Sequence, residues 1–392
     1  MADEGKQVFS RRKVTAGMAL GGASLFLSGG ACATEVAGGG GQIDARNVGA
    51  AGDGKSDDTA ALQRALDAAG KARASVFLQP GVYVTGELHV RAGTSLVGVP
   101  AWDYNGPGGP TLRLKSADAS CLLNLTEAFG ATIQGLALDG RQLGKGIHGI
   151  ATLRKKWGDN EDCFRIDGCQ VLHFTGDGLH LECGWCFSVR HSMIAYNGGD
   201  GLSLRGWDGF ILDNWLSGNK RAGYAARQEN ASVTFTANRV EWNGEENMVV
   251  AGGDGYQVTG NFFDRAGTCG IALRKRYGYP CSQFTISGNF FKRSGKMAGA
   301  ASPDSAQVLL DGVEGVTCVG NSIEAGRDDG GEGAWSPAFG IVFGGLRNAV
   351  IKDNVLHDGA LKQLIVDKGE NQEGVIVADN PGRLFTNFAR KW

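Results

Sequence analysis

Short stretches of alternating hydrophobic and polar residues recur along the chain from about residue 170, and each stretch ends at an asparagine. The positions five and three residues before these asparagines are mostly apolar, as Val233 and Phe235 are before Asn238. Alternation with a period of two is typical of a strand with one buried face. The asparagines that share this register are Asn214, Asn238, Asn261, Asn289, Asn321, Asn354 and Asn380.

The spacing of these asparagines predicts the architecture. Successive members lie 24, 23, 28, 32, 33 and 26 residues apart, and a coil of this length with three short strands is one turn of a parallel β-helix. A leucine-rich repeat would carry a fixed leucine pattern and a helix in each unit, which this sequence lacks. Stacked asparagine amides can hydrogen-bond along the coil axis, so we interpret them as structural. The sequence predicts an all-β protein, a right-handed single-stranded parallel β-helix.

An N-terminal capping helix is predicted ahead of the coils. Asp57, Asp58 and Thr59 form an N-cap cluster before apolar residues at helical spacing. A helix there would close the open end of the solenoid. Strands 76–78 and 82–84, separated by a Pro-Gly turn, are predicted as the first of the coil. The apolar helix positions are Ala61, Leu62, Ala65, Leu66 and Ala69.

The first residues resemble a targeting segment. Paired Arg11 and Arg12 precede an apolar stretch over 16–27, and Ala31-Cys32-Ala33 offers a small-residue cleavage site, as in a twin-arginine export signal. The stretch is too short and too rich in glycine for a membrane span, and lipidation at Cys32 is the less favoured reading. We predict an exported protein, periplasmic or extracellular, divided into a signal at 1–33, a linker at 34–42, a β-helix domain at 43–385 and a tail at 386–392.

Composition restricts the partners only weakly. The 392 residues carry a formal net charge of −2, so no overall attraction to nucleic acid or to an anionic membrane surface is expected. The chain has nine cysteines, and beyond Cys32 we expect most of them to be buried. Cys183 and Cys186 have the spacing of a redox or metal half-site, but no second pair follows. The oligomeric state is left open.

The opening of the domain resembles a known superfamily. The run from Asn47 to Leu62, NVGAAGDGKSDDTAAL, followed by LQPGVY at 78–83, is similar to the start of pectate-lyase-like proteins, which include rhamnogalacturonase-, polygalacturonase- and epimerase-like β-helices and some phage tailspikes. This resemblance implies the fold and a carbohydrate ligand, and it leaves the reaction open. The sequence lacks the paired aspartates, His-Gly and Arg-x-Lys of polygalacturonases, and the Tyr-Gly-x-Asp-Pro-His of mannuronan epimerases.

One outward-facing column of the predicted coils carries charged side chains. Strands that start at glycine turns place Leu179 and Leu181 inside, so that His180 and Glu182 point outward. Neighbouring coils lie about 4.8 Å apart in such a stack. The column is predicted to contain Glu182, Arg205, Arg227, Ala251 and Arg274, followed by Asp311 and Asp367.

Arg205 stacked on Arg227 suggests an anionic ligand. Two like charges about 5 Å apart cost on the order of 1 kcal/mol even in water. A uronate carboxylate lying across the two guanidinium groups would remove that cost. The alternative is a surface salt-bridge ladder, which contributes little to stability.

The candidate catalytic residues are Glu182, Arg227, His180, Asp177 and Asp200. In a lyase, arginines would neutralise the substrate carboxylate, and His180, Arg227 or a lysine would remove the adjacent proton. In a glycoside hydrolase, Glu182 would act with Asp177 or Asp200 across roughly 5 to 9.5 Å. Both aspartates precede a glycine, so ordinary turn chemistry is the alternative. His148, at a strand start, is a weaker candidate for proton transfer.

The candidate substrate-binding residues are Arg205, Arg274, Trp185, Trp207, Lys155 and Lys156. The two tryptophans begin the loop beside the column and could stack on a sugar ring, or pack beneath their own loop. The two lysines belong to a charged loop at 154–162 and are either uronate anchors or solvated charges. No cofactor is implied with certainty. Calcium is left open, at the two aspartates or at the oxygen-rich loop 327–332.

These features together predict an exported enzyme that cleaves a uronate-containing polysaccharide by β-elimination in a groove along the coil. The first alternative is a glycoside hydrolase that uses paired carboxylates on the same fold. The second is a β-helix that binds glycans without catalysis.

Overall fold

The computed structural model describes residues 41–99, 102–103, 106–107, 109–327 and 331–388. Within these ranges the chain forms a right-handed parallel β-helix, and the predicted fold class is confirmed. Each coil crosses from one strand to the parallel strand beside it, and such crossovers are right-handed in nearly all proteins. The predicted export signal and most of the linker lie outside the described residues, as do residues 328–330 of the oxygen-rich loop.

The first of three strand columns follows the asparagine turns, and we call it the turn sheet. Its short strands pair in parallel from one coil to the next. They are β2 Asp53–Asp57, β4 Val82–Thr85, β9 Thr111–Leu114, β12 Ala137–Asp139, β15 Gln170–Leu172, β17 Met193–Ala195, β19 Trp215–Ser217, β22 Arg239–Glu241, β25 Phe262–Asp264, β28 Phe290–Lys292 and β31 Ser322–Glu324.

The second column, which we call the site face, follows the glycine turns. Strands β16 and β18 are long, because each continues through a bend into the third column. The site face contains β5 Leu88–His89, β10 Cys121–Asn124, β13 His148–Leu153, the first halves of β16 Leu179–Arg190 and β18 Leu202–Leu212, β20 Tyr224–Ala226, β23 Met248–Ala251, β26 Ile271–Arg274, β29 Ala306–Asp311, β32 Phe339–Gly344 and β34 Gln363–Asp367.

The third column, the back face, precedes the asparagine turns. A separate antiparallel hairpin pairs β7 Trp102–Asp103 with β8 Gly106–Pro107. The back face contains β1 Gln42–Asp44, β3 Ser75–Phe77, β6 Ser95–Val97, β11 Thr132–Gln134, β14 Arg165–Asp167, the second halves of β16 and β18, β21 Asn230–Thr236, β24 Gly253–Thr259, β27 Cys281–Ser287, β30 Glu314–Val319, β33 Ala349–Lys352 and β35 Val375–Ala378.

The predicted asparagine ladder is present, and its members from Asn214 to Asn354 are buried. The amide Nδ2 of Asn238 donates to the backbone oxygen of Ile211 at 2.9 Å and to Oδ1 of Asn261 at 3.1 Å. Its own Oδ1 accepts from the backbone N–H of Asn214 at 3.0 Å. The pattern continues coil by coil to Asn380. Buried polar groups are thereby satisfied within the scaffold, as the structural interpretation requires.

A second ladder, which the sequence analysis did not identify, lies at the opposite end of the turn sheet. Nδ2 of Asn197 donates to Oδ1 of Asn219 at 3.0 Å, and Asn219 donates to Asn243 at 3.1 Å. All three are buried. This ladder fixes the turn that leads into the site face.

The capping helix α1 spans Thr59–Ala72 and covers the N-terminal end of the core with the five apolar residues that the sequence indicated. A short 3₁₀ helix, Ala45–Val48, packs beside it. The side chain of Asp58 does not cap the helix. It accepts the backbone N–H groups of Ala51 and Gly52 instead. Strands β3 and β4 follow the helix at the two segments that were predicted there, and β1 and β2 precede the helix.

No helix among the described residues is long and apolar enough to cross a membrane. Of the described cysteines, Cys163 is exposed and Cys186 is half-buried, while the other six are buried. The expectation of mostly buried cysteines is therefore confirmed for these residues.

Candidate active site

The predicted outward column lies on the site face, and we call its charged residues His180, Glu182, Arg205, Arg227 and Arg274 the charged strip. Leu179 and Leu181 are buried, while His180 and Glu182 are half-buried on the outer surface, as predicted. The strand pairing joins Glu182 to Arg205 in neighbouring coils.

The downstream part of the column is correct as far as Asp311. Ala251 pairs with Arg274, which pairs with Asp311. The placement of Asp367 was wrong, because Asp367 pairs with Phe343, one position out of register. Lys368 is the residue that reaches Asp311, with Nζ 3.2 Å from Oδ1.

Arg205 is held between two carboxylates. Its Nη2 lies 2.6 Å from Oε2 of Glu229, and its Nη1 lies 3.4 Å from Oε2 of Glu182. These contacts raise the pKa of the Arg205 guanidinium, chiefly through the hydrogen bond to Glu229. The arginine is therefore already neutralised by protein groups.

The other two arginines of the strip are neutralised in the same way, so the geometry matches a ladder of ion pairs and not a stack of bare cations. Each guanidinium contacts one strongly buried or half-buried carboxylate and one more exposed carboxylate. The pairs are Arg227 with Asp200 at 2.7 Å and Glu245 at 3.2 Å, and Arg274 with Glu246 at 3.2 Å and Asp304 at 2.9 Å.

Asp177 and Asp200 lie at equivalent turns of adjacent coils, as predicted, but both carboxylates are buried. Oδ1 of Asp177 accepts the backbone N–H of Asp200 at 2.7 Å, and Oδ1 of Asp200 accepts that of Ala222 at 2.9 Å. Burial raises the pKa of Asp200 against the opposing effect of the Arg227 charge. With Asp200 only 1% exposed, these two aspartates do not form an open carboxylate pair with Glu182. Their side chains accept backbone N–H groups of the next turn and so stabilise the turns, which was the alternative interpretation of the sequence.

A histidine pair is organised around Asp177. Oδ2 of Asp177 lies 2.7 Å from Nδ1 of His180, and the rings of His148 and His180 are stacked with centroids 4.1 Å apart. Nδ1 of His148 accepts the backbone N–H of Asp177 at 2.9 Å. On its other side, Nε2 of His180 lies 3.7 Å from Oε1 of Glu182. The cluster thus connects a buried carboxylate to the outer surface through one imidazole.

The two histidines have opposite protonation tendencies. Burial acts to lower the pKa of His180, but the hydrogen bond with Asp177 and the charges of Asp177 and Glu182 outweigh it, so the pKa is raised. Burial, reinforced by the neighbouring His180, lowers the pKa of His148 to about 4. The pKa of Asp177 is lowered, because the His180 hydrogen bond and the His148 charge exceed the effect of burial. His180 is the proton-carrying member of the cluster.

His148, Asp177 and His180 each offer a ligand atom, and these atoms lie within 4.8 Å of one another. However, Nδ1 of His148 is occupied by a backbone N–H, and Nδ1 of His180 is hydrogen-bonded to the carboxylate that a metal would need. The arrangement is better suited to proton transfer than to metal binding.

Glu182 and Glu229 form a pair of half-buried carboxylates that both contact Arg205. Both contact Arg205, so their Oε2 atoms lie closer than about 9.5 Å, the upper end of the range for paired carboxylates in glycosidases. Glu229 is held tightly by Nε and Nη2 of Arg205, whereas both contacts of Glu182 exceed 3.3 Å. Sequence analysis missed Glu229, since it lies beyond a bend where strand register no longer predicts side-chain direction.

Three tryptophans border the strip on its back-face side. The rings of Trp157 and Trp207 stack with centroids 3.6 Å apart, and Trp185 meets Trp207 edge-on at 6.4 Å. The guanidinium of Arg205 lies 5.6 Å from the Trp157 ring. The loop that supplies Trp157 therefore closes over the strip, and all three indoles are half-buried. Trp157 was not among the predicted residues.

Lys155 and Lys156 project from the same loop and are exposed. They line a surface depression of about 650 Å³ together with Trp157, and neither forms an ion pair among the residues that the structure describes. They are available to a ligand that extends beyond the tryptophans, but they do not contact the charged strip.

A smaller cavity of about 370 Å³ lies further along the site face. Val249 and Ala251 form an apolar floor, and Oγ1 of Thr268 is buried there without a hydrogen-bond partner in the described structure. Ion pairs surround this floor, so the cavity combines an apolar base with donors and acceptors at its rim. Its charged lining residues are Arg227, Glu245, Glu246 and Arg274.

Two family models match the sequence. The model described as "Rhamnogalacturonase A/epimerase, pectate lyase-like" matches residues 42–108. The model described as "Right handed beta helix region" matches residues 156–291 and 228–387. The superfamily resemblance seen in the opening motif is therefore confirmed.

Several solved structures share the fold. The mannuronan C-5 epimerase AlgE6 A-module of Azotobacter vinelandii is 19% identical with a TM-score of 0.64, over 87% of this chain and 99% of that one. The DFA-IIIase of Arthrobacter chlorophenolicus A6 is 17% identical with a TM-score of 0.62, over 88% and 99%. The enzymatically active domain of bacteriophage CBA120 tailspike protein 2 is 12% identical with a TM-score of 0.65, over 81% and 48%. At these identities the likeness establishes the fold alone.

Proposed function

Because the chain belongs to the right-handed β-helix family, we propose that it is a carbohydrate-active enzyme that hydrolyses a polysaccharide bound along the site face. The observation that carries the proposal is the half-buried pair Glu182 and Glu229 on one guanidinium, with the Asp177–His180 dyad beside it. The names of similar structures, an epimerase, a DFA-IIIase and a tailspike domain, support a carbohydrate ligand for this fold.

The two glutamates have different environments, which suits different roles. Glu229 receives two short hydrogen bonds from Arg205, which fix its carboxylate in place, so it is suited to stabilise positive charge at the anomeric carbon or to attack it. Glu182 is loosely held, and the proton-carrying His180 beside it can pass it a proton, so the two residues together are suited to protonate the leaving oxygen. Asp177 orients His180 and does not touch the substrate.

The charge balance favours a neutral glycan over a polyuronate. All three arginines of the charged strip already contact two carboxylates each. A uronate would therefore have to displace these partners, or bind beside them against like charge. A neutral sugar can lie on the tryptophans and on the apolar floor at Val249 and Ala251 without that cost.

β-Elimination by His180 is the second candidate, and the Asp177–His180 hydrogen bond favours it. Asp177 fixes the imidazole and makes it more basic, as a catalytic base requires. Because the pKa of His180 is raised, elimination should become faster as the pH rises and the imidazole loses its proton. The pH profile therefore separates the two reactions.

A screen of neutral and uronate-containing polysaccharides tests the proposal. We expect new reducing ends from a neutral polymer, without ultraviolet-absorbing unsaturated product. Replacing Glu229 by Ala should abolish turnover, and azide, which fits the space left by the carboxylate and can attack the anomeric carbon, should restore some cleavage if Glu229 is the nucleophile. Unsaturated product from a polyuronate, formed faster as the pH rises and lost in His180→Gln, would show that the reaction is elimination and not hydrolysis.

Export remains a separate proposal, based on Arg11, Arg12 and the apolar stretch that follows. We expect the intact chain to reach the periplasm or medium, and Arg11→Lys with Arg12→Lys to leave it in the cytoplasm. Equal distribution of the two forms between cell fractions would contradict export by this signal.

A further inference from the structure

Cys163 and Cys186 lie opposite each other on adjacent coils. The register that pairs Arg165 with Ser188 continues back by two residues to this pair. Backbone hydrogen bonds bracket it on both sides, from Asp162 N–H to the Trp185 oxygen at 2.9 Å and from Ser188 N–H to the Phe164 oxygen at 3.1 Å. Neighbouring parallel strands lie about 4.8 Å apart, within the Cα separation that a disulfide spans.

The two cysteines also share backbone geometry and environment. Both have a left-handed backbone, with φ of 49° at Cys163 and 54° at Cys186, so their side chains leave the coil in the same direction. Both thiols lie beside the carboxylate of Glu161. They are the described cysteines that are not buried, which leaves them accessible to an external reagent.

We propose that Cys163 and Cys186 form a disulfide between coils, and that this bond anchors the loop 154–162 beside the charged strip. In the reaction, two thiols lose two protons and two electrons to a small-molecule or protein disulfide, which is reduced to two thiols. One thiolate attacks that oxidant and releases its first thiol, and the second thiolate then attacks the resulting mixed disulfide and releases the other thiol. The proposal is independent of which reaction the strip catalyses.

The proposed disulfide would lie next to the end of the loop 154–162. Asp162, the neighbour of Cys163, is buried, pairs with Arg154, and accepts the backbone N–H of Trp185 at 2.8 Å. This residue ends the loop that places Trp157 on Trp207. A covalent link one residue later would fasten that end of the loop to the next coil.

The surroundings of the thiols set the conditions for oxidation. Burial and the Glu161 charge raise the pKa of Cys163, and burial with Glu161 and Asp208 raises the pKa of Cys186 to about 12. The reactive thiolate is therefore scarce at neutral pH, so the uncatalysed reaction should be slow and should accelerate as the pH rises.

The experiment treats the whole chain, carrying Cys32→Ser, with oxidised glutathione and maps the peptides by mass spectrometry. We expect a peptide pair joining Cys163 to Cys186 with the loss of two hydrogens, formed faster at higher pH and reversed by dithiothreitol. Cleavage by trypsin after Lys155 and Lys156 should slow by about tenfold in the oxidised protein, because the loop end can no longer open.

Matched variants separate this bond from other chemistry. Cys163→Ser should lose the linked peptide and the protection from trypsin, while Cys281→Ser, which removes a buried thiol of the back face, should keep both. A bond from Cys186 to Cys183, glutathione remaining on Cys163 alone, or unchanged trypsin cleavage after oxidation would each overturn the proposal.

Discussion

The asparagine ladder and the charged strip both run along the coil axis, one at the turn between the back face and the turn sheet, the other on the site face. In the ladder, Asn238 receives and donates short hydrogen bonds, and every partner is another part of the scaffold. In the strip, Glu182 is 23% exposed, and its two contacts are 3.4 and 3.7 Å long. All hydrogen-bonding groups of the ladder are occupied by the scaffold, so none is available to a ligand. The carboxylate of Glu182 in the strip is available to one.

This difference separates stability from chemistry within one repeating fold. A buried polar group with complete hydrogen bonding is costly to remove, since its partners are then left unpaired. A half-buried carboxylate with long contacts contributes little to stability but can bind and protonate a substrate. Substitutions in the two regions should therefore affect different measurements.

The largest effect is expected on activity, from Glu182→Gln. The amide keeps the shape of the side chain but cannot donate a proton as the acid does, so kcat/KM on the cleaved polysaccharide should fall by about 10²- to 10⁴-fold. The unfolding free energy should change by less than about 1 kcal/mol. Reducing-end assays and urea unfolding measure the two quantities.

Glu314 provides the control for this substitution. It is an exposed glutamate on the back face with an ion pair to Arg347 at 3.8 Å. Glu314→Gln should leave both activity and stability unchanged. A Glu182→Gln enzyme with near-normal turnover would remove Glu182 from the mechanism.

The next largest effect is expected on stability, from Asn238→Ala. The substitution leaves the buried backbone oxygen of Ile211 and N–H of Asn214 without their side-chain partner. At about 1 to 3 kcal/mol for each unpaired group, the unfolding free energy should fall by about 3 kcal/mol or more. Asn160→Ala, in an exposed loop, should cost less than about 0.5 kcal/mol. If Asn238→Ala and Asn160→Ala lowered the unfolding free energy equally in urea, the ladder would not be a main source of stability.

The pH dependence of stability should show the buried state of His148. Its pKa is about 4 in the folded protein and 6.5 when unperturbed. Between these values the unfolded chain binds a proton that the folded protein excludes, so stability falls as the pH drops from 7 to 4. This residue should contribute a loss of about 3 kcal/mol.

His148→Gln removes that contribution and checks its sign. The unfolding free energy of the variant should approach or exceed that of the unsubstituted protein as the pH falls toward 4. Between about pH 7 and 8 the difference between the two free energies should not change with pH. Parallel curves for the two proteins across this range would show that His148 titrates normally.

The smallest effect is expected for sugar stacking, from Trp207→Ala. Loss of the indole should raise KM by about tenfold, which corresponds to about 1.4 kcal/mol, near the upper end of the free energy of an aromatic contact. The value of kcat should stay within a factor of about two. Phe210→Ala removes an exposed aromatic residue of the same strand on the back face and should change neither constant. A drop in kcat alone would indicate that Trp207 positions the catalytic groups.

The fold and the charged column could be predicted because both follow from strand periodicity. In a parallel stack, register places Glu182 beside Arg205 and Ala251 beside Arg274 without further information. The error at Asp367 has the same origin, since a single residue of difference in loop length shifts the register and moves a side chain to another position. The second ladder at Asn197, Asn219 and Asn243 repeats at 22 and 24 residues and was detectable by the same spacing.

The partners of the column could not be predicted, because loops and bends supply them. Glu229 follows the bend after Arg227, and Trp157 comes from an irregular loop whose path no periodicity defines. Stacked arginines were therefore interpreted as a site for an external anion, when the chain itself provides the anions. The net charge of a site depends on which side chains from loops and bends also contact it. The spacing of residues in the sequence does not give this information.

The asparagine turns have a constant length, and this has a consequence for how the protein can change. From β18 to β31, two residues separate each back-face strand from the following turn-sheet strand, while the connections beside the site face vary in length. Lengthening a flexible connection costs little free energy, so insertions can accumulate there without disturbing the ladder. New substrate preferences could therefore arise by exchanging one loop at a time above an unchanged floor.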